Sequence, residues 1–227
     1  MSPAVSNPTG EIDDGSLPPR TRPLGSRERR RIRTMREIQT EALRLFGARG
    51  YDNTTIEQIA AAADISPRTF FRYFPTKEDV VLWDEYDAVI EDSLAQRPAG
   101  ETPGELMRAI TREAIAWQYA RDPDRLLARQ RILFAVPAVR ARFVEFARDG
   151  IERLIGALRG ERGESEDLKI HLTAIALLDA AGAALDTWQR SDGNKDLLVL
   201  LDHATEALID GVAELRPAGP RRRPRAR

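Results

Sequence analysis

The stretch SPRTFFRYF, residues 66–74, places two arginines and four aromatic residues in nine positions. If this segment is a helix that begins at its proline, Phe70 and Phe74 share one face because they lie four residues apart. Arg68 and Arg72 have the same spacing and share the opposite face. Guanidinium groups bind phosphate oxygens and guanine edges, and an α-helix fits the major groove of DNA. The spacing therefore predicts a helix with buried rings on one side and a DNA-binding surface on the other.

Start signals for short helices surround this stretch. Thr54-Thr55-Ile56-Glu57 has the form of a capping box, in which a hydroxyl and a carboxylate satisfy free amides at a helix start. Ser66-Pro67 combines an N-cap serine with a first-turn proline, and Thr76-Lys77 opens a further helix. Asp64 stands before the second of these starts and tolerates the backbone angles of a tight turn. This order predicts a helix-turn-helix.

Charge is divided unevenly along the chain. Residues 27–77 carry 11 basic and 6 acidic residues, a net charge of +5, whereas residues 78–215 carry 16 basic and 27 acidic residues, a net charge of −11. The division indicates that the first part meets a polyanion, although a solvated surface of uneven charge would give the same count. Five arginines precede or open the first predicted helix, where they could follow a phosphate backbone or enter a minor groove: Arg27, Arg29, Arg30, Arg31 and Arg33.

Composition excludes or disfavours several chemistries. The chain has no cysteine, which excludes disulfides, thiolate metal sites and cysteine nucleophiles. Neither of its two histidines, His171 and His203, belongs to a His-x-x-x-His or Glu-x-x-His pattern, which makes a metal site improbable. The sequence has no nucleophile elbow and no glycine-rich phosphate loop, so we predict neither an enzyme nor a cofactor. The first residues lack a signal-peptide pattern and no apolar run reaches membrane-spanning length, which predicts a cytoplasmic protein without a membrane partner.

Helical periodicity extends over most of the chain, and no alternating strand pattern interrupts it. An all-α protein is predicted, with a disordered arm over residues 1–26, a helix-turn-helix domain over 27–76, a larger helical domain over 77–215 and a basic tail over 216–227. The predicted helices span 29–48, two short segments beginning near 56 and 67, and then 77–95, 103–119, 123–135, 138–159, 167–189 and 195–215.

The last two predicted helices carry more apolar surface than one helix face can hold. Apolar residues recur every three or four positions in both, and small residues between them allow close helix packing. Such helices bury several faces, either inside one domain or against a second copy of the chain. We predict a homodimer, with an intramolecular core as the alternative. The interface residues predicted on this basis are Ile175, Leu178, Gly182, Leu197, Leu201, Ala204 and Leu208.

The segment GARGYDNTTIEQIAAAADISPRTFFRYFPTKEDVV resembles the DNA-binding segment of the TetR family of bacterial transcription regulators. The resemblance covers about residues 29–82 and includes that family's aromatic and Thr-Lys-Glu pattern after the second short helix. It implies a homodimer that binds operator DNA, with Thr54 and Tyr73 near phosphates. Together with Arg29, the predicted DNA contacts are Thr54, Thr55, Ser66, Pro67, Arg68, Thr69, Phe71, Arg72, Tyr73 and Lys77.

Two departures from the family's pattern fall at predicted DNA-reading positions. Pro67-Arg68 stands where members commonly carry Lys-Gly, so a long guanidinium side chain replaces a close backbone approach and could read guanine. Phe71 stands where tyrosine is usual, which removes a hydroxyl and leaves an apolar ring suited to a thymine methyl group. These departures predict an operator unlike those of typical members.

The segment RQRILFAVPAVRARFVEF, together with WDEYD before it, resembles a branch of the same family whose larger domain binds acyl-CoA-like ligands. Arginines would meet the acidic end of such a ligand, while aromatic side chains would line its acyl chain. The candidate ligand-binding residues are Trp117, Gln118, Arg131, Phe134, Phe143 and Phe146. Most of these would equally suit an ordinary helical core.

These features predict a homodimeric transcriptional regulator, a repressor that a small apolar or acyl-CoA-like effector releases from a palindromic operator on double-stranded DNA. Two other classes of protein fit the same features. A sequence-indifferent architectural protein would use the basic surface without discrete sites. A helical ligand carrier would bind its small molecule without residues 1–76.

Overall fold

The computed structural model describes residues 25–85, 103–158 and 164–214. Within these ranges the chain forms nine α-helices and no strand, which confirms the all-α prediction. The first four helices are α1 (Ser26–Arg49), α2 (Ile56–Ala62), α3 (Pro67–Tyr73) and α4 (Lys77–Leu82), which we call the head. The other five form the body: α5 (Pro103–Arg121), α6 (Pro123–Ala135), α7 (Pro137–Leu158), α8 (Glu164–Arg190) and α9 (Leu197–Glu214). The arm predicted over residues 1–26 lies outside the described residues up to residue 24, as does the tail over 216–227.

Several helix boundaries differ from those predicted, and two of the differences lie in the head. α1 begins at Ser26 rather than near Arg29, with Gly25 as its N-cap, so the arginine-rich stretch is part of the helix. The helix predicted over 77–95 ends at Leu82, because Trp83 leaves the helical conformation with ψ of 133°. The later part of that prediction, from residue 86, lies outside the described residues.

α1 buries one apolar stripe along its length. The buried members of that stripe are Met35, Ile38, Ala42, Leu45 and Phe46. Gly50 ends the helix with φ of 82°, a conformation that glycine adopts without steric cost. α1 therefore supplies the long apolar face against which the rest of the head folds.

The connection between α2 and α3 is a tight turn. Asp64 adopts φ of 53°, and the Ile65 amide donates a hydrogen bond to the Ala60 carbonyl at 2.9 Å. Ile59 and Ala60 are fully buried, and the small Ala60 side chain permits close approach of the next helix. The helix-turn-helix and the turn role of Asp64 are thus confirmed.

One apolar core joins the head to the body. Leu133 of α6 and Val139 of α7 belong to the same buried cluster as Ile38, Phe70 and Val81 of the head. Two further clusters stabilise the body, one between α5, α7 and α8, the other between α5, α6, α8 and α9. Because these helices share a core with the head, a displacement of α6 or α7 would force side chains of the head to repack.

α8 is the long apolar helix of the body. Residues 167–190 are long and apolar enough to cross a membrane by length and composition, so the expectation that no stretch reaches this length was wrong. The residues of this stretch that pack against other helices include Ile170, Ala174, Leu177, Ala181, Ala184 and Trp188. A single helix of this kind is weak evidence for a membrane span, because core helices of globular proteins have the same composition.

Candidate nucleic-acid interface

Two aromatic anchors fix α3 to the head. Phe70 and Phe74 are 0% and 2% exposed, and their ring centroids lie 6.0 Å apart. Trp83, just after α4, meets the Phe74 ring edge-on at 6.1 Å. Both anchors belong to the core shared with α1 and α4, which confirms the predicted inward face. Their burial sets the rotation of α3 about its axis and so determines which side chains face outward.

The opposite face of α3 is exposed. Arg68 and Arg72 both lie at the surface, and no carboxylate in the described part of the chain pairs with either. Phe71 is 52% exposed, yet its ring is supported edge-on by Phe70 at 5.7 Å. The Arg72 guanidinium lies 5.1 Å above the centre of the half-buried Tyr73 ring, a cation–π contact. The face therefore offers two guanidinium groups without a carboxylate partner and one supported apolar ring, groups that suit guanine edges, phosphates and thymine methyls.

Ser66 organises the start of α3. Its hydroxyl accepts a hydrogen bond from the Thr69 amide at 3.0 Å and lies 2.9 Å from the Thr69 hydroxyl. Pro67 occupies the first turn, where its missing N–H would have had no partner in the helix. The cap thus confirms the predicted helix start, while DNA contacts at these three residues stay predictions.

The capping box of α2 lies one residue later than the sequence predicts. The Thr55 hydroxyl accepts a hydrogen bond from the Gln58 amide at 3.3 Å, and the Gln58 side chain accepts one from the Thr55 amide at 3.1 Å. The capping box is therefore formed by Thr55 and Gln58, not by Thr54 and Glu57. Glu57 is exposed, and hydrogen bonds from its own amide and from the Thr55 side chain lower its pKa. Thr55 is exposed at this helix start, and its DNA contact stays a prediction.

Thr54, which is predicted to lie near a phosphate, is buried in the structure. The residue is 1% exposed, and its hydroxyl donates to the Gly50 carbonyl at 2.9 Å. The Leu45 carbonyl lies 3.4 Å from the same oxygen. These partners show that the hydroxyl ties the loop after α1 to the end of that helix, and the DNA contact of Thr54 stays a prediction.

Lys77 is likewise directed into the protein. Its ammonium group donates to the Tyr51 carbonyl at 2.8 Å and to the Thr54 carbonyl at 3.0 Å, and it lies 4.1 Å from the centre of the Tyr51 ring. The Tyr51 hydroxyl in turn donates to Glu78 at 2.7 Å. Burial and this bond to Glu78 raise the pKa of Tyr51. Lys77 therefore braces the loop before α2 against α4, a role that its predicted DNA contact did not include.

A buried ion cluster joins the head to the body, which the sequence did not reveal. Glu85, whose side chain is 1% exposed, accepts hydrogen bonds from Arg36 of α1 and from Arg125 of α6, each at 2.7 Å. Its neighbour Asp84 pairs with Arg129 of α6 at 3.2 Å. Burial alone would raise the pKa of Glu85, but the bond from Arg36 and the charge of Arg125 outweigh it, so this pKa is lowered. We call these five residues the head–body ion cluster.

Two further contacts strengthen this junction. The buried Gln39 side chain of α1 donates to the carbonyls of Val80 at 2.8 Å and Trp83 at 2.9 Å. Arg142 of α7 donates to Asp79 at 3.0 Å, and Asp79 is also part of the capping box that begins α4. α7 therefore contacts α4, and α6 contacts the two residues that follow Trp83. Both contacted segments lie shortly after α3 in the chain.

The six predicted ligand-binding residues are spread over the body. Trp117 packs beside the core cluster between α5 and α8, under the Arg121 guanidinium, and Gln118 accepts from Arg129 at 3.0 Å. Arg131 pairs with Asp192 at the surface. Phe134 is half-buried, while Phe143 and Phe146 are 36% and 37% exposed. None of the six lines the cavity of about 340 Å³ between α5, α8 and α9, whose walls include Arg108, Arg112, Asp202 and Thr205.

The residues predicted to form the dimer interface differ in how far a single chain buries them. Leu197 and Leu201 are 0% and 3% exposed in the core around Trp188, so a single chain already covers them. Ala204 packs beside that core, Leu178 and Leu208 pack beside the neighbouring one, and a side chain added at Gly182 would meet no atom within 4 Å. Ile175 alone of this set is a large apolar side chain at the surface, 39% exposed. Among the side chains that the structure describes in α8 and α9, the large apolar ones that are exposed are Leu168, Leu172, Ile175 and Val199.

An exposed cationic helix, fixed by buried rings within a helix-turn-helix and joined to a larger helical body, defines the class of helix-turn-helix DNA-binding proteins with a second, all-helical domain. Family models match both parts of the chain. The model described as bacterial regulatory proteins, tetR family, matches residues 38–82, and the model described as the MftR C-terminal domain matches residues 101–213. The chain belongs to the TetR family of transcriptional regulators.

Individual relatives agree with this family. The chain is 44% identical over 93 residues to the transcriptional regulator TcmR of Streptomyces glaucescens, and this match spans 40% of the chain and 41% of TcmR. It is 25% identical over 189 residues to MftR of Mycobacterium tuberculosis, spanning 81% of the chain and 91% of MftR.

Two solved structures resemble the fold. FadR of Thermus thermophilus, a TetR-family repressor in complex with lauroyl-CoA, is 29% identical with a TM-score of 0.52, over 82% of this chain and 97% of that one. FadR of Bacillus subtilis in complex with stearoyl-CoA is 21% identical with a TM-score of 0.54, over 78% of this chain and 98% of that one. At that identity the second structure shows the fold alone.

Proposed function

We propose that this protein is a cytoplasmic homodimeric repressor that binds a palindromic operator and is released from it by a small apolar or acyl-CoA-like effector. The single observation that carries DNA binding is the outer face of α3, where Arg68, Phe71 and Arg72 are exposed above the buried Phe70 and Phe74. Such a face can enter a major groove while its anchors hold it in one orientation.

Arg68 and Phe71 are the proposed sequence-reading residues. Arg68 stands in the first turn of α3, where a side chain reaches the floor of the groove when the helix enters by its N-terminal end. An arginine in that position binds the O6 and N7 atoms of guanine, and the Phe71 ring suits a thymine methyl group. Arg72 and Tyr73 lie toward the end of the helix, where phosphates border the groove.

Arg68→Ala is expected to weaken binding to the operator by about 1 to 3 kcal/mol, roughly 5- to 150-fold, because the variant cannot form the bidentate hydrogen bonds to a base. The melting temperature should not change, since Arg68 is exposed and has no carboxylate partner in the described part of the chain. Operators selected from genomic fragments with the purified protein would be titrated at fixed salt, beside duplex DNA of unrelated sequence.

Arg190→Ala is the control, because it removes another exposed arginine, which lies at the end of α8 and pairs only with Asp186 at 3.7 Å among the described residues. Equal losses on operator and unrelated DNA would support the sequence-indifferent architectural protein instead. Operator affinity that is unchanged by Arg68→Ala would refute the proposed reading surface. Ligand binding that persists without any DNA affinity would favour the helical carrier.

Dimerisation is proposed through the exposed apolar row of α8 together with Val199 of α9. Leu168, Leu172 and Ile175 are spaced four and three residues apart and are 59%, 58% and 39% exposed, so they form one continuous stripe on a helix. A twofold axis beside this stripe would pair it with its own copy and bury it. Two heads related by that axis could enter successive major grooves about 34 to 36 Å apart.

Effector release follows from linkage between two sites. A ligand that favours a dimer with differently spaced α3 helices must weaken DNA binding by the same factor by which DNA weakens the ligand, commonly about 5- to 150-fold. The likeness to the lauroyl-CoA complex at 29% identity supports an acyl-CoA-like effector. Trp117, Gln118 and Phe134 are the half-buried members of the candidate set and remain its proposed lining.

Acyl-CoAs from octanoyl to stearoyl are expected to raise the melting temperature and to release the operator, with an optimum chain length. At a ligand concentration of about 100 times Kd, binding to the folded state alone adds about 2.7 kcal/mol of stability. Free coenzyme A and the free fatty acids serve as controls for the two halves of the ligand. If no acyl-CoA changes either the melting temperature or the operator complex, the acyl-CoA assignment fails while DNA binding stands.

A further inference from the structure

A cleft of about 420 Å³ opens between the start of α1 and the end of α3. Its walls are Ser26, Arg27, Arg30 and Arg31 from α1, and Arg72 and Tyr73 from α3. We call it the arginine cleft. The three arginines of α1 occupy positions i, i+3 and i+4 and so share one face of the helix. Arg31 and Arg72 are 41 residues apart in the sequence (72 minus 31), so only the fold brings the two walls together.

The cleft concentrates positive charge that the described part of the protein does not neutralise. All four charged side chains in its walls are arginines, and no carboxylate within the described residues pairs with any of them. The four arginines are exposed. The N-cap of α1 is Gly25, so no capping side chain bonds to the free amides at this helix start. Four like charges around one concavity repel one another and favour a polyanion that would relieve this repulsion.

The neighbouring surface identifies the kind of polyanion. Arg72 and Tyr73 line the cleft and also end α3, whose Arg68 and Phe71 form the proposed reading surface. When a helix lies in a major groove, the sugar–phosphate strand that borders the groove passes the ends of that helix. The cleft is therefore continuous with the surface that would face this strand.

We propose that the arginine cleft binds phosphates of the operator strand that flanks the groove entered by α3. This inference rests on the proposed DNA-binding function and adds to it a second, sequence-independent contact. Exposed arginines on two converging helices can follow a backbone, whereas base reading requires a side chain directed to the groove floor. The Tyr73 ring holds the Arg72 guanidinium on the wall of the cleft, 5.1 Å from the ring centre.

The test is the triple variant Arg27→Gln, Arg30→Gln and Arg31→Gln, which leaves every residue of α3 unchanged. Affinity for the operator and for unrelated duplex DNA should fall by the same factor, roughly tenfold or more, because phosphate contacts carry no sequence information. The slope of log affinity against log salt should become shallower by about 0.9 for each phosphate that the variant no longer binds, up to about 2.7 for three phosphates. Ethylation of flanking phosphates should interfere with binding of the wild-type protein and not of the variant.

The control triple variant is Arg148→Gln, Arg190→Gln and Lys195→Gln, which removes the same charge from exposed positions of the body. It should change the salt slope by much less than the cleft variant does. A wild-type slope in the cleft variant, or a loss confined to the operator, would overturn the cleft proposal. If Arg68→Ala still weakens operator binding in that case, the proposed function stands, whereas a wild-type protein that binds no duplex DNA would remove both.

Discussion

Leu172→Asp is expected to convert the proposed dimer into a folded monomer and to weaken binding to a palindromic operator by at least about 100-fold. Leu172 lies in the middle of the exposed row of α8 and is 58% exposed in the single chain. A carboxylate there is hydrated in the monomer, but in a dimer it would be buried against apolar side chains without a partner. Loss of the second head removes the effective concentration that multiplies affinity by about 10² to 10⁴. Sedimentation and operator titration measure the two effects.

Val144→Asp is the matched control, because Val144 is 66% exposed on α7 and lies outside this row. It should leave both the sedimentation coefficient and the operator affinity unchanged. Leu172→Met, which keeps the apolar surface, should also remain dimeric. A dimeric Leu172→Asp protein with wild-type affinity would show that the two copies meet through another surface.

The proposed dimer surface illustrates what a periodic sequence leaves undecided. The α9 stripe of Leu197, Leu201, Ala204 and Leu208 has the spacing of an interface, yet the structure places it against the core of its own chain. A stripe with period 3.6 specifies one buried face but does not say whether the covering surface belongs to the same chain. α8 is apolar on more than one side. Only the packing of the folded chain shows that Leu168 and Leu172 stay exposed.

The helix-turn-helix was predictable because its determinants are local. Ser66, Pro67 and the Phe70 and Phe74 pair lie within nine residues, and their effects on helix start and facing need no distant partner. The error at α2 has the opposite cause. Adjacent threonines can both cap a helix, and Thr54 is excluded from that role by carbonyls up to nine residues back in the chain.

The contacts that join head and body could not have been predicted. Glu85 meets Arg36 and Arg125 across 49 and 40 residues, and within the head Lys77 likewise meets the Tyr51 carbonyl across 26. An acidic residue near the end of a predicted helix has the same sequence signature whether it is solvated or buried between two guanidinium groups. Only the packing of α1 and α6 against α4 distinguishes these outcomes.

Glu85→Gln is expected to lower the free energy of unfolding at neutral pH by about 3 kcal/mol. Removing one partner of a buried ion pair leaves the other charges uncompensated, which costs about 3 to 5 kcal/mol, and the lower end applies because Arg36 and Arg125 keep 25% and 18% of their side-chain exposure. Asp202→Asn is the matched control, since Asp202 and Arg112 form a bidentate pair with both side chains more than 40% exposed. The control should cost less than about 1 kcal/mol. Urea unfolding measures both.

The pH dependence of stability in the Glu85 variant distinguishes the effect of the lost charge from an effect of altered packing. The folded-state pKa of Glu85 is lowered, so the stability that its carboxylate contributes is complete above the ordinary glutamate pKa of about 4.3 and is lost as pH falls through the folded value. The difference in unfolding free energy between wild type and Glu85→Gln should therefore be constant above about pH 5 and shrink below it. A difference that persists unchanged to low pH would mean that the side chain acts through packing. Because Glu85 contacts both α1 of the head and α6 of the body, the charge-dependent outcome would show that its carboxylate helps to hold the two parts together.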